Sequence, residues 1–213
     1  MTVREASGLE NASISIAGPP DENKSGEEGT PTPPPLSEAE KEALDELQDL
    51  LKLNLAALAS LSPRPAEILP HLLLGAGTDA QDRQALKNMG VTHVLNCAGA
   101  AVRTGALFYK PYGIEYSQFN SEDTQGYDIM SHYSLLEKLA DEVKAAGGRL
   151  FVHCEAGVNR SGSLCLAYHA LSTSTPLLQS ARHCKAARGR ICTNCGFQKQ
   201  VFDFVRMRGG ALA

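Results

Sequence analysis

A cysteine followed six positions later by an arginine pairs two groups suited to phosphate chemistry. The thiolate is a strong nucleophile, and the guanidinium offers a planar fork to two phosphate oxygens. The five residues between them can turn their backbone N–H groups inward on an anion. The sequence carries this spacing three times: Cys97 with Arg103, Cys154 with Arg160, and Cys184 with Arg190. Spacing alone therefore selects nothing. A working site also needs a strand that delivers the cysteine, a glycine where the loop turns tightly, and a following helix whose N-terminus faces the anion.

Only Cys154 meets all three conditions. It follows the apolar run Leu150, Phe151, Val152, has Gly157 inside the loop, and leads into an apolar helical stretch over 161–171. Cys97 also ends a strand pattern, but the segment behind Arg103 runs through Gly105, Pro111 and Gly113 and does not sustain a helix. Cys184 lies inside a helical pattern rather than after a strand. These two are read as chance spacing.

The elements that must position Cys154 follow from the periodicity. Residues 68–74 before Gly75 read as a strand, 79–89 as a short helix closed by Gly90, 91–96 as a second strand and 113–119 as a third. A long helix over 128–146 ends at Gly147 and Gly148, a fourth strand covers 149–153, and 161–171, 177–187 and 197–207 read as helices. Strands alternating with helices predict an α/β fold, a central and mostly parallel twisted sheet flanked by helices. Upstream, Ser37 and Glu40 form a capping-box pattern, and Leu44, Leu47, Leu51, Leu55 and Leu58 recur at helical spacing up to Ser62 and Pro63. Residues 1–35, rich in Gly, Ser, Glu and Pro, bury too little apolar surface to offset ordering and are expected to be disordered. The predicted organisation is a tail (1–35), an amphipathic helix (36–62), a catalytic domain (63–207) and a short C-terminal tail (208–213).

The net charge of −4 hides an asymmetry: residues 1–62 carry −8 and residues 63–213 carry +4. A mildly basic body suits an anionic substrate but lacks the dense Lys/Arg face of a nucleic-acid binder, so no nucleic-acid partner is expected. The first residues show neither a secretory pattern nor a lipidation motif. The most apolar run, 50–61, is broken by Lys52 and Asn54 and falls short of a membrane span, so no membrane partner is expected. Six irregularly spaced cysteines make no disulfide framework and suit a reducing, cytoplasmic setting. Leu44, Leu47, Leu51 and Leu53 fit a loose nuclear-export pattern, which leaves the nucleus open as a second location.

The run His153, Cys154, Glu155, Ala156, Gly157, Val158, Asn159, Arg160, Ser161, Gly162 resembles the signature loop of the protein tyrosine phosphatase superfamily, in its dual-specificity branch. The resemblance extends to 68–75, to 91–97 and to Asn194, Gly196, Phe197 and Gln200 late in the domain, about residues 63–207 in all. It implies the tyrosine phosphatase-like fold and a phosphorylated protein as substrate, with neither metal nor cofactor. It further implies Cys154 as nucleophile, the amides of Glu155, Ala156, Gly157, Val158, Asn159 and Arg160 together with the Arg160 guanidinium as the phosphate cradle, and Ser161 as the group that eases departure of the thiolate. His153 would tune the thiol from outside the pocket. The general acid would be an aspartate on the loop after the third strand; Asp123 is favoured over Glu122, and Asp128 is read as a helix cap. The chain resembles the small, atypical members of the branch.

Several residues invite other readings. Cys192 and Cys195, with His183 and Cys184 upstream, have loosely zinc-like spacing, but a second ligand pair is missing and plain thiols are preferred. Cys97 is read as a core cysteine, with a redox partnership to Cys154, as in some relatives of the family, as the alternative. Arg182, Lys185, Arg188 and Arg190 read as a solvated helix face, and the leucine helix is expected to pack on the catalytic domain or on a partner. Two rival functions remain: a phosphoprotein-binding pseudophosphatase, and hydrolysis of a non-protein phosphate. Asn159 ahead of Arg160 resembles the loop of RNA 5′-triphosphatases, which makes them the strongest rival of the second kind.

Overall fold

The computed structural model of the protein describes residues 33–53 and 65–213. The expected tail up to residue 32 and the segment 54–64 lie outside the described residues, and the helix expected over 36–62 ends at Leu51, where Lys52 leaves the helical conformation. In chain order the elements are helix α1 (Glu38–Leu51), strands β1 (Ala66–Leu69) and β2 (Leu72–Gly75), helices α2 (Gly77–Gln81) and α3 (Arg83–Asn88), and β3 (His93–Asn96). They continue with α4 (Ala106–Tyr109), β4 (Glu115–Gln118), α5 (Tyr133–Ala145), β5 (Leu150–His153), α6 (Arg160–Ser172), α7 (Leu177–Arg188) and α8 (Cys195–Met207).

The strands form one sheet in the order β1-β2-β5-β3-β4, parallel throughout except for the β1–β2 pair. This central strand order places β5, which carries the nucleophile at its end, between β2 and β3, where both of its edges are paired. Side chains alternate across the sheet. Leu72, Leu74, Leu95, Leu150 and Val152 face the main core beneath α5 to α8, whereas Leu73, Val94 and Phe151 meet Leu86, Tyr109 and Ile114 on the other face. Strands buried on both faces read as continuous apolar runs, which is why β5 was legible.

Three further elements depart from the periodicity reading, each for a local reason. The single strand expected over 68–74 is a hairpin, because Pro70 has no N–H and a turn at Pro70 and His71 separates β1 from β2. The helix expected over 79–89 is two short helices broken at Asp82, whose backbone leaves the helical region and whose side chain accepts from the Ala85 N–H to start α3. The segment 105–113, expected not to sustain a helix, makes one turn, α4, and then a 3-10 turn ended by Gly113 in the left-handed region. Asp128 caps the 3-10 turn Ile129–His132 that leads into α5, accepting from the Ser131 N–H at 3.2 Å.

Helix α6 is the centre of the helical layer, buried from Arg160 through Ala170, and touches α5, α7, α8 and β5. Helix α1 begins with the capping box read from sequence, Ser37 N–H to Glu40 Oε2 at 2.7 Å and Glu40 N–H to Ser37 Oγ at 3.3 Å. It lies against α7 and α8 with Ala43, Leu47 and Leu51 buried. Residues 208–213, expected to trail from the domain, are docked instead. The carbonyls of Ala211 and Leu212 accept from the N–H groups of Leu177 and Leu178, at 2.9 and 3.0 Å, and Leu212 packs on the core. The physical need is plain: Pro176 heads α7 with no capping side chain, so the first-turn amides take their acceptors from the chain end.

Candidate active site

The loop between β5 and α6 is built by turning its carbonyls outward. The Glu155 carbonyl accepts from Gly77 N–H at 2.9 Å and the Val158 carbonyl from Cys192 N–H at 2.8 Å. Those of Ala156 and Gly157 accept from Arg188 Nη2 and Nε, both at 3.2 Å. The Asn159 carbonyl accepts from the N–H and Oγ of Ser163, both at 2.7 Å. With five successive carbonyls fixed outside, the opposite ends of the same peptide planes point in. Among the described residues, no N–H from Glu155 to Arg160 is taken by a protein acceptor. Such a ring of inward amides, closed by the N-terminus of α6, is a cradle for a tetrahedral oxyanion.

Gly157 makes the turn possible. Its φ of +65° lies in the left-handed region, and a Cβ there would stand 2.2 Å from the Gly75 carbonyl oxygen. Cys154 sits at the base of the cradle, only 1% exposed, with Ser161 Oγ donating to its Sγ at 3.2 Å. His153 is buried behind it, and its Nδ1–H donates to the Cys154 carbonyl at 3.2 Å. Burial lowers the His153 pKa to about 4, so the ring is neutral near pH 7 and orients the cysteine's backbone rather than adding a positive charge.

Arg160 is also buried, 6% exposed, donating from Nη1 to the Ser121 carbonyl at 3.3 Å and pairing through Nη2 with the Glu155 carboxylate. Its Nε is buried without a partner among the described residues, a donor left for a ligand. Burial opposes the guanidinium's charge, but Glu155, Cys154 and Asp123 outweigh it and hold its pKa above the ordinary value. Glu155 therefore contributes an amide to the cradle and a carboxylate to the arginine, a second role its place in the loop did not announce.

Of the three carboxylates after β4, one reaches the loop. Asp123 Oδ2 accepts from Asn159 Nδ2 at 3.1 Å, and Asp123 Oδ1 from Asn194 Nδ2 at 3.0 Å. Glu122 is exposed, with no hydrogen bond or ion pair among the described residues. The far end of the Asp123 loop is fixed by Gln200, which donates to the Tyr127 carbonyl at 2.7 Å and accepts from Ile129 N–H at 2.9 Å. Gly196 lets α8 approach, since a Cβ there would stand 2.2 Å from the Gln125 carbonyl oxygen.

The two other cysteine–arginine spacings build nothing comparable. Cys184 is buried within α7, and Arg103 is exposed in the loop after β3. Cys97 follows β3, beside β5; burial first, and then the neighbouring Cys154, push its thiol pKa up, which keeps it protonated at neutral pH. Cys192 is buried, accepting from Ser163 Oγ at 3.2 Å, while Cys195 is exposed at the start of α8. No group of three metal-ligating side chains occurs among the described residues.

The reading of Arg182, Lys185, Arg188 and Arg190 as a solvated helix face needs correction at Arg188, and Arg190 lies half-buried past the end of the helix, while Arg182 is exposed. Arg182 pairs with Glu46, Lys185 donates to the Leu50 carbonyl, and Arg188, 2% exposed, grips the phosphate-cradle loop. The signal was present: Leu177, Ala181, Cys184 and Arg188 share one helical stripe, so Arg188 falls on the buried side of α7.

Residues 72–207 match the family model described as dual specificity phosphatase, catalytic domain. Among curated proteins, human Dual specificity protein phosphatase 2 is 34% identical over 140 residues, 66% of this chain and 43% of that protein. Human Dual specificity protein phosphatase 13B is 33% identical over 138 residues, 63% of this chain and 69% of that protein. The chain thus spans less than half the length of the first of these relatives. Among solved structures, OH1 from the Orf virus, a tyrosine phosphatase, superposes with a TM-score of 0.62 at 21% identity, covering 79% of this chain and 96% of that one. The human tyrosine phosphatase-like serine/threonine/tyrosine-interacting protein gives the same TM-score at 22% identity, covering 69% of this chain and 99% of that one. Both are likenesses of fold.

Proposed function

The chain belongs to the dual specificity phosphatase family, and on that premise we propose that it hydrolyses phosphotyrosine and phosphoserine or phosphothreonine in proteins through a phosphocysteine intermediate. The observation that carries the reading is the cradle itself: a buried thiol beneath a ring of inward amides, faced by an arginine with an unpaired buried donor. Binding the three equatorial oxygens of a phosphoryl group uses all of these groups at once.

In the first step the Cys154 thiolate forms the S–P bond as the P–O bond to the substrate breaks, and the departing oxygen takes the proton of the Asp123 carboxyl. In the second, water attacks the phosphocysteine, and Asp123, now a carboxylate, accepts the water's proton. The S–P bond breaks, phosphate leaves, and the Ser161 hydroxyl stabilises the returning thiolate.

The Asn159 side chain is turned to Asp123, Thr193 and Asn194 rather than into the cradle. No helix among the described residues is long and apolar enough to cross a membrane, and a reducing, cytoplasmic setting is the one that suits the thiol chemistry.

Turnover of para-nitrophenyl phosphate by the full chain tests the proposal. Cys154→Ser should lower it by at least about 10³-fold. An inactive wild-type chain that still binds phosphopeptides would identify a pseudophosphatase. A panel of phosphopeptides against RNA 5′-triphosphate then reads the substrate class directly.

A further inference from the structure

Asn159 occupies the N-cap position of α6, where an asparagine ordinarily folds its side chain back onto the first-turn amides. It makes no such bond. The side chain is free for another task. Its Nδ2 donates to Asp123 Oδ2 at 3.1 Å, and its Oδ1 accepts from Thr193 N–H at 2.7 Å, Thr193 Oγ1 at 3.1 Å and Asn194 N–H at 3.1 Å. Asn194 closes the circuit by donating from Nδ2 to the other oxygen of Asp123 at 3.0 Å. Asp123, Asn159 and Asn194 therefore form a ring, closed through the Asn194 backbone amide and drawn from the loop after β4, the cradle and the start of α8.

We propose that Asn159 is a positioning residue that sets the Asp123 carboxyl against the leaving oxygen, tying the proton donor to the loop that holds the phosphorus. The inference rests on the reading of Asp123 as general acid. A side chain with a donor at one end and an acceptor at the other is needed, because one end must hold a carboxylate and the other must satisfy two backbone amides. A serine hydroxyl can donate and accept, but from a single short arm it cannot span from Asp123 to the Thr193 and Asn194 amides. Arg160 follows Asn159 directly, so any shift of the cradle carries the acid with it, and the two stay in register during transfer.

Positioning of an acid is separable from support of the cradle by the leaving group. Phenyl phosphate releases a basic phenoxide that needs a proton; 6,8-difluoro-4-methylumbelliferyl phosphate releases a weakly basic one that does not. The measured quantity is the ratio of kcat/KM for the two, which covers the step in which the P–O bond breaks. Asn159→Ser removes both ends of the clamp. Asn159→Asp keeps the acceptor for Thr193 and Asn194 while opposing Asp123, which guards against a general collapse of the loop. Each variant should lower kcat/KM on phenyl phosphate about tenfold or more relative to the fluorinated ester. In the Asp123→Asn background, the same changes should leave the ratio where that substitution has put it.

A ratio that stays at its wild-type value in both variants, whatever the absolute loss, overturns the positioning role and assigns Asn159 to the cradle alone. A further shift of the ratio in the Asp123→Asn background also overturns it, because the residue would then act without Asp123. If Asp123→Asn itself leaves the ratio unchanged, the reading of Asp123 fails first, and that failure is seen independently of Asn159.

Discussion

At the residue scale the chemistry is set by short-range relations the sequence displays. Cys154, Gly157, Arg160 and Ser161 stand within one loop and the first turn of one helix, so their spacing along the chain nearly fixes their spacing in space. His153 adds a consequence for pH. Its ring accepts a proton at about 4 when buried against 6.5 as its ordinary value, and burial holds His169 at about 4 as well. Both folded values are depressed, so above about 6.5 neither ring affects stability. Between that pH and about 4 the unfolded chain binds protons the folded one refuses, and stability falls by about 1.4 kcal/mol per pH unit for each ring. Denaturation midpoints measured from pH 7 to 4.5 should decline over this window, and His153→Gln should lessen that decline.

At the element scale the question is what keeps the amides of Ala156 to Arg160 facing inward. The answer lies in the carbonyls, and Arg188 at the end of α7 takes two of them. Replacing Arg188 by Met keeps the length and apolar stem but releases the Ala156 and Gly157 carbonyls. We expect kcat/KM to fall about tenfold or more on both good and poor leaving groups, because a displaced cradle binds the transferring group less well whatever departs from it. That pattern is the opposite of the one expected at Asn159. Steady-state kinetics on the two esters, with circular dichroism to confirm retained helix, reads the difference.

At the scale of the whole molecule, helix α1 and the chain end close the outer side of the helical layer, far in sequence from the elements they cover. Leu47 of α1 is fully buried in the main core, and Glu46 and Glu40 pair with Arg182 of α7 and Arg206 of α8. The exposed Glu46–Arg182 pair adds little, and the apolar contact dominates. Leu47→Ala should cost about 2–4 kcal/mol of stability, read by chemical denaturation, with kcat/KM unchanged at temperatures where the protein stays folded. The sequence by itself determined the α/β alternation, the nucleophile loop and the capping box of α1, because each rests on residues a few positions apart. Only the tertiary structure decided which carbonyls Arg188 holds, that residues 208–213 cap α7, and that Asp123, Asn159 and Asn194 meet. Those contacts join residues up to 71 positions apart among the three ring members, and such pairings are fixed by how the sheet and helices pack, which no local pattern encodes.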